Sequence, residues 1–188
     1  MKKLTLSLGL FAILSVVVTG VIFLIPKERK IDLDLLVADK DIDTLAKDSA
    51  AIIVGQVENI LSSKETINRH TGDTIVFTDY VLLVSETLKG DNNGRVILRL
   101  PGGTVKDGKE KLTVIASDAP GFVIGEKVLV FLSKSTDGFF DLPDEHYTID
   151  GWFQGKYQII NSEAKNPKGS LAITDLKSKI KSVTQVQK

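Results

Sequence analysis

The chain has no cysteine. That excludes disulfides, thiolate nucleophiles, thiolate metal sites and iron–sulfur clusters, and it leaves stability to the core alone. Histidine is scarce as well: two residues in 188, so few side chains can exchange a proton near neutral pH. Net charge is absent too, but only formally. Residues 31 to 155 carry 12 Lys or Arg against 21 Asp or Glu, a balance of −9, and residues 156 to 188 carry 7 against 2, a balance of +5. An acidic body with a basic tail speaks against nucleic acid as a partner, because phosphate contacts supply most of that affinity. No internal repeat is visible.

What the chain does have is one long apolar run. Leu4 to Ile25 holds 22 residues without a charge. At roughly 1.5 Å per helical residue it reaches roughly 33 Å, enough for a hydrocarbon core of about 30 Å. A cleaved signal peptide would need small residues at the cut, which Val18-Thr19-Gly20 supplies poorly, and Val21 to Ile25 continue the run beyond it. The expectation is an uncleaved single-pass anchor in the cell membrane, residues 1–30. Lys2, Lys3 and the terminal amine on one side nearly balance Lys27, Arg29 and Lys30 on the other. Orientation therefore rests on the likeness of Met1-Lys2-Lys3 plus an apolar run to an export signal, which places the rest of the chain outside the cytoplasm.

Residues 31–43 alternate Asp with other residues and read as an acidic linker. Asp43 is placed to cap a short helix through Ala51, with Leu45 and Ala46 turned inward. A domain over 44–165 follows. Period-two patterning predicts strands at Ile52–Ile60, Thr74–Leu88 and Arg95–Leu100, separated by turn chemistry at His70-Thr71-Gly72-Asp73 and Lys89 to Gly94. Lys111–Ala116 reads as a short strand. Val128–Leu132 is apolar throughout, as for a strand buried on both faces, and Thr136-Asp137-Gly138 is a hairpin turn into Phe139–Leu142. Trp152–Ile160 reads as the last strand, with Gly155 marking a bulge or a close approach. Asn166-Pro167-Lys168-Gly169 then introduces a basic C-terminal helix over 166–188, capped by Ser170 or Thr174, whose Leu176, Ile180 and Val183 form one apolar stripe. The fold class expected is mainly β: a small closed or partly open OB-like barrel with a C-terminal helix, preceded by a single N-terminal transmembrane helix.

Ala50 to Val57, Thr78 to Val84, Leu88-Lys89-Gly90 and Gly125 to Leu132 together resemble the netrin-like module, the OB-type barrel of the tissue inhibitors of metalloproteinases. The chain is also similar to a group of bacterial surface proteins through Pro101-Gly102-Gly103 and Gly151 to Tyr157. The first resemblance implies a barrel. It implies no inhibition, because those inhibitors hold their target zinc through an N-terminal Cys that this chain lacks.

Catalytic constellations are thin. Asp144-Glu145-His146 is the best of them, since a carboxylate can orient an imidazole for acid–base work, yet neighbours in a loop rarely point together. His70 sits in a turn. Asp39-Lys40-Asp41-Ile42-Asp43 opens like a calcium loop, but Thr44 stands where Gly is needed and Ala50 where a bidentate Glu should be. No metal or cofactor is expected. Trp152, Phe153 and Tyr157 are an aromatic concentration fit for a binding face or for the core, with Trp152 and Gln154 on one side of the strand and Phe153 and Gly155 on the other. Gly102 and Gly103 would let a backbone approach a ligand closely. The reading is a membrane-tethered, non-enzymatic module that binds a protein or cell-wall component through Trp152, Phe153, Tyr157, Gly102 and Gly103. The alternatives are a hydrolase built on Asp144, Glu145 and His146, and a structural envelope subunit.

Overall fold

β-branched residues recur at alternate positions in the segments after Ala51, and they fill pleated, half-buried surfaces well. The computed structural model describes residues 27–35, 37–67, 72–134 and 146–185. In chain order its elements are β1 (Lys27–Leu33), α1 (Ile42–Asp48), β2 (Ala51–Ile60), β3 (Lys64–Ile67), β4 (Thr74–Lys89), β5 (Arg95–Pro101), β6 (Gly103–Asp107), β7 (Glu110–Ala116), β8 (Lys127–Lys134) and β9 (Tyr147–Ile149). A 3-10 turn (Trp152–Gly155) follows, then β10 (Lys156–Ile160), β11 (Glu163–Asn166), β12 (Gly169–Ala172) and α2 (Ile173–Gln185).

Five strands close into a barrel, in the order β2-β4-β5-β9-β8 and back to β2. All pairs are antiparallel except β5 with β9, which run parallel at Leu98 and Tyr147. β4 is long enough to serve three neighbours. Its first residues pair with β3, its middle with β5, and its second half with β2 through several register shifts that bend the ribbon. Closure satisfies the backbone groups that an open sheet would leave along its edges.

Val128, Val130 and Leu132 of β8 point into the barrel with Ile53, Val57, Leu82, Val96, Leu98 and Leu100. Leu129 and Phe131 point outward and are equally buried, because α1 and α2 cover that face with Leu45, Ala46, Leu176 and Ile180. The uninterrupted apolar run is thus a strand buried on both faces. Val183 completes the stripe of α2 against the same cluster.

α1 is held at both ends. Asp41 accepts a hydrogen bond from the Thr44 backbone N–H at 2.8 Å, and Lys89 donates to the Ala46 and Lys47 carbonyls at 2.9 and 2.7 Å. Asp41 is therefore the cap, not Asp43.

Several elements differ from the sequence-based expectation. Lys27–Leu33 is a strand that pairs in parallel with β7, so the end of the expected anchor segment and the first residues of the expected 31–43 linker are ordered structure. β6, unexpected, forms a hairpin with β7 around Gly108. Trp152–Ile160 is not one strand, since its first four residues coil into a 3-10 turn, and it is not the last, since β11 and β12 follow. Asn166-Pro167-Lys168-Gly169 is the turn between those two strands, with the Asn166 side chain accepting from the Lys168 N–H at 3.0 Å. The helix begins only at Ile173.

The expected hairpin at Thr136–Leu142, the turn residues His70 and Thr71, and the apolar run Leu4–Ile25 lie outside the described residues. Among the described residues no helix is long and apolar enough to cross a membrane.

Candidate binding groove

Gly151 (φ 70°) and Trp152 (φ 51°) both occupy the left-handed region, and this turns the chain out of β9 into the 3-10 helix. The turn can close only because position 155 is glycine: a Cβ there would lie 1.9 Å from the Asp150 carbonyl oxygen. The coil separates the three aromatic residues. Trp152 is half-buried and packs on the barrel interior. Tyr157 is buried on the outer face of the sheet, opposite Leu129, with its ring centroid 6.2 Å from that of Phe131. Burial pushes its phenol above the ordinary 10.0, and the Asn166 side chain offsets part of that.

Phe153, half-buried, faces a groove of about 430 Å³. One wall is the loop between β7 and β8, with Ser117, Ala119, Pro120 and Gly121; the other is the β11–β12 turn, with Lys165, Asn166 and Pro167. Between them lie Gln158 and the Glu126–Lys156 pair, whose charged groups stand 2.7 Å apart with side chains 6% and 13% exposed. Lys156 also donates to the Gly121 carbonyl at 2.5 Å and sits 4.3 Å over the Phe122 ring, and the Val123 N–H donates to Glu126 at 3.1 Å. These bonds fix the loop as a rigid wall. The same loop turns Phe122 inward but presents Val123 and Ile124 to solvent, 69% and 60% exposed. Apolar contact area, backbone carbonyls and a side-chain amide meet in one concave place, which is the chemistry of a recognition site.

Gly102 and Gly103 belong elsewhere. They carry φ of 105° and 132° where β5 passes into β6, and a Cβ on Gly103 would stand 2.2 Å from Ser63 Oγ. The Thr78 hydroxyl donates to the Gly102 carbonyl at 2.8 Å and lies 2.9 Å from Ser63 Oγ, while the Thr104 N–H donates to that same oxygen at 3.2 Å. The two glycines line a backbone crossing. Of the five residues expected at the site, Phe153 is the one at the groove wall described above.

Two polar clusters escaped the sequence reading. Arg99 is wholly buried and grips Asp79, its cross-strand partner, through two bonds of 2.6 and 2.7 Å. Its guanidinium lies 4.3 Å from the Phe77 ring centroid, and its Nη1 is 3.4 Å from Nδ1 of His146, itself buried. Asp144 and Glu145 lie outside the described residues, so of that trio His146 alone is placed, beside a structural ion pair. The second cluster ties residues 38–40 to the barrel. Asp150 bonds Lys40 at 2.8 Å and Ser49 at 3.1 Å, and the buried Gln154 side chain accepts from the Lys40 N–H and donates to the Ala38 carbonyl. Burial pulls the Lys40 ammonium down, but bonds to Asp150 and Asp48 outweigh it and leave the group raised.

No protein-family model matches the chain, and no curated protein does. Among the described residues no three His, Cys, Asp or Glu side chains gather in a way that could hold a metal ion, and Asp39, Asp41 and Asp43 have other occupations. Asp39 meets Lys168, Asp41 caps α1, and Asp43 lies 3.3 Å from Lys179.

Proposed function

We propose that this chain is a non-enzymatic binding module, tethered to a membrane by Leu4–Ile25 with its barrel outside the cytoplasm, and that it takes a protein or cell-wall component in the groove beside Phe153. The barrel order β2-β4-β5-β9-β8, with β5 and β9 parallel, supports reading it as OB-like, a fold whose surface loops and strands commonly serve as binding platforms. The carrying observation is the groove itself. Phe153 stands between the β7–β8 loop and the β11–β12 turn, and on that loop, beside the groove lining, Val123 and Ile124 add exposed apolar surface of the kind that marks interaction sites.

The test is site-specific photocrosslinking in cells producing the full chain, with a benzophenone analogue at Phe153 and, separately, at Ser182 on α2. A discrete adduct at Phe153, absent at Ser182, is expected. No adduct at Phe153, or the same adducts at both positions, would remove the groove as the binding face.

A further inference from the structure

β1 starts two residues after Ile25, the last member of the apolar run. Two residues span at most roughly 7 Å, and the headgroup layer of one leaflet is about 5–7 Å thick. With Leu4–Ile25 embedded, Lys27 is therefore at headgroup level. The parallel register aligns Lys27 with Glu110. Paired strands lie about 4.8 Å apart, so the turn of the β6–β7 hairpin, Asp107 to Glu110, is held at the same height. In sequence, Pro26 alone separates the apolar run from β1.

The charge at this end of the sheet suits a lipid surface. Lys106, Lys109 and Lys111 of the hairpin and Arg29 and Lys30 of β1 outnumber Glu28, Asp107 and Glu110, and all except Lys111 are exposed. Glu28 bonds Lys111 at 2.9 Å, which ties strand to hairpin. We infer that the tip of the β6–β7 hairpin docks on the headgroups of an anionic bilayer and fixes the barrel above it. The inference rests on the anchor reading given above and extends it, naming a second contact with the membrane and the lipid class it favours.

The absence of cysteine makes the test direct. The full chain, with Asp107→Cys carrying a fluorophore, is reconstituted in phosphatidylcholine vesicles with or without phosphatidylglycerol, each containing a headgroup-spin-labelled lipid as quencher. Ser117→Cys, seven residues along from Glu110 and roughly 23 Å farther up the sheet at 3.3 Å per residue, is the reference. Asp107→Cys should be quenched several-fold more than Ser117→Cys. Phosphatidylglycerol should deepen that quenching, and charge reversal at Lys106 and Lys109, which leaves the Glu28–Lys111 tie in place, should return it to the phosphatidylcholine level. Equal quenching at the two positions in vesicles that retain the protein overturns the docking while sparing the anchor. Quenching indifferent to phosphatidylglycerol and to charge reversal overturns the anionic lipid class. Release of the chain by alkaline carbonate overturns the anchor, and the inference with it.

Discussion

Arg99 is cut off from bulk solvent. Buried on β5, the guanidinium is tolerated because Asp79 of the adjacent β4 meets it with two bonds and Phe77 lies against its face. Removing one member of such a pair leaves the other charged and unsolvated, which costs about 3–5 kcal/mol, whereas replacing both with apolar residues of similar size is often neutral. Arg99→Met should therefore destabilise the barrel by that amount in urea unfolding, and Asp79→Leu with Arg99→Met together should be milder than either alone. Gly155→Ala is expected to cost at least about 1–3 kcal/mol by the same measurement, since the new methyl would overlap the Asp150 carbonyl oxygen. Asp41 gives a pH signature. The Thr44 backbone N–H lowers its carboxyl below the ordinary 3.8, so its contribution is present above 3.8 and is lost as pH falls through the lower folded value. Asp41→Asn keeps an acceptor at the cap and removes that titration. Wild type should lose stability relative to the variant as pH drops below 3.8, and parallel curves would contradict the assignment.

At the scale of elements, what the sequence revealed and what it hid have one physical division. Period-two alternation disclosed β2, β4 and β5, and the apolar run disclosed β8 as a doubly covered strand, because burial on one or two faces writes itself directly into residue order. β1 exists through pairing with β7, far away in sequence, which no local pattern records, while β6 and β11 are short charged strands in tight hairpins whose few residues carry little alternation. The 3-10 turn at Trp152 was partly legible: Gly155 signalled a bulge or close approach, but not that its neighbour is the Asp150 carbonyl and that the chain coils there. The aromatic residues, expected to divide between the two sides of one strand, are divided instead by the coil, and Phe153 is the one that lines the groove. Arg99 left a fainter trace, a lone cation between Leu98 and Leu100, legible only once its register with Asp79 is known. The apolar stripe of α2 was fully legible. Leu176→Ala should cost about 2–5 kcal/mol, because the side chain is entirely buried beside Ile180 against the outer face of the sheet. A smaller loss in thermal or urea unfolding would mean that the helix is dispensable to the barrel.

For the whole molecule, closure, helical cover and the clamp at Lys40 and Asp150 combine to make a rigid platform whose two ends differ. One end of the small β1–β7–β6 sheet adjoins the apolar N-terminal run, and the loop that leaves the other end of β7 forms a wall of the Phe153 groove. The proposed anchoring would carry the groove away from the bilayer and toward the cell exterior. The most direct test is protease shaving of intact cells producing the full chain with a C-terminal tag, compared with lysed cells. Loss of the tag from intact cells is the expected result. Protection of the tag until lysis, in cells whose membrane fraction holds the protein, would contradict an outward barrel.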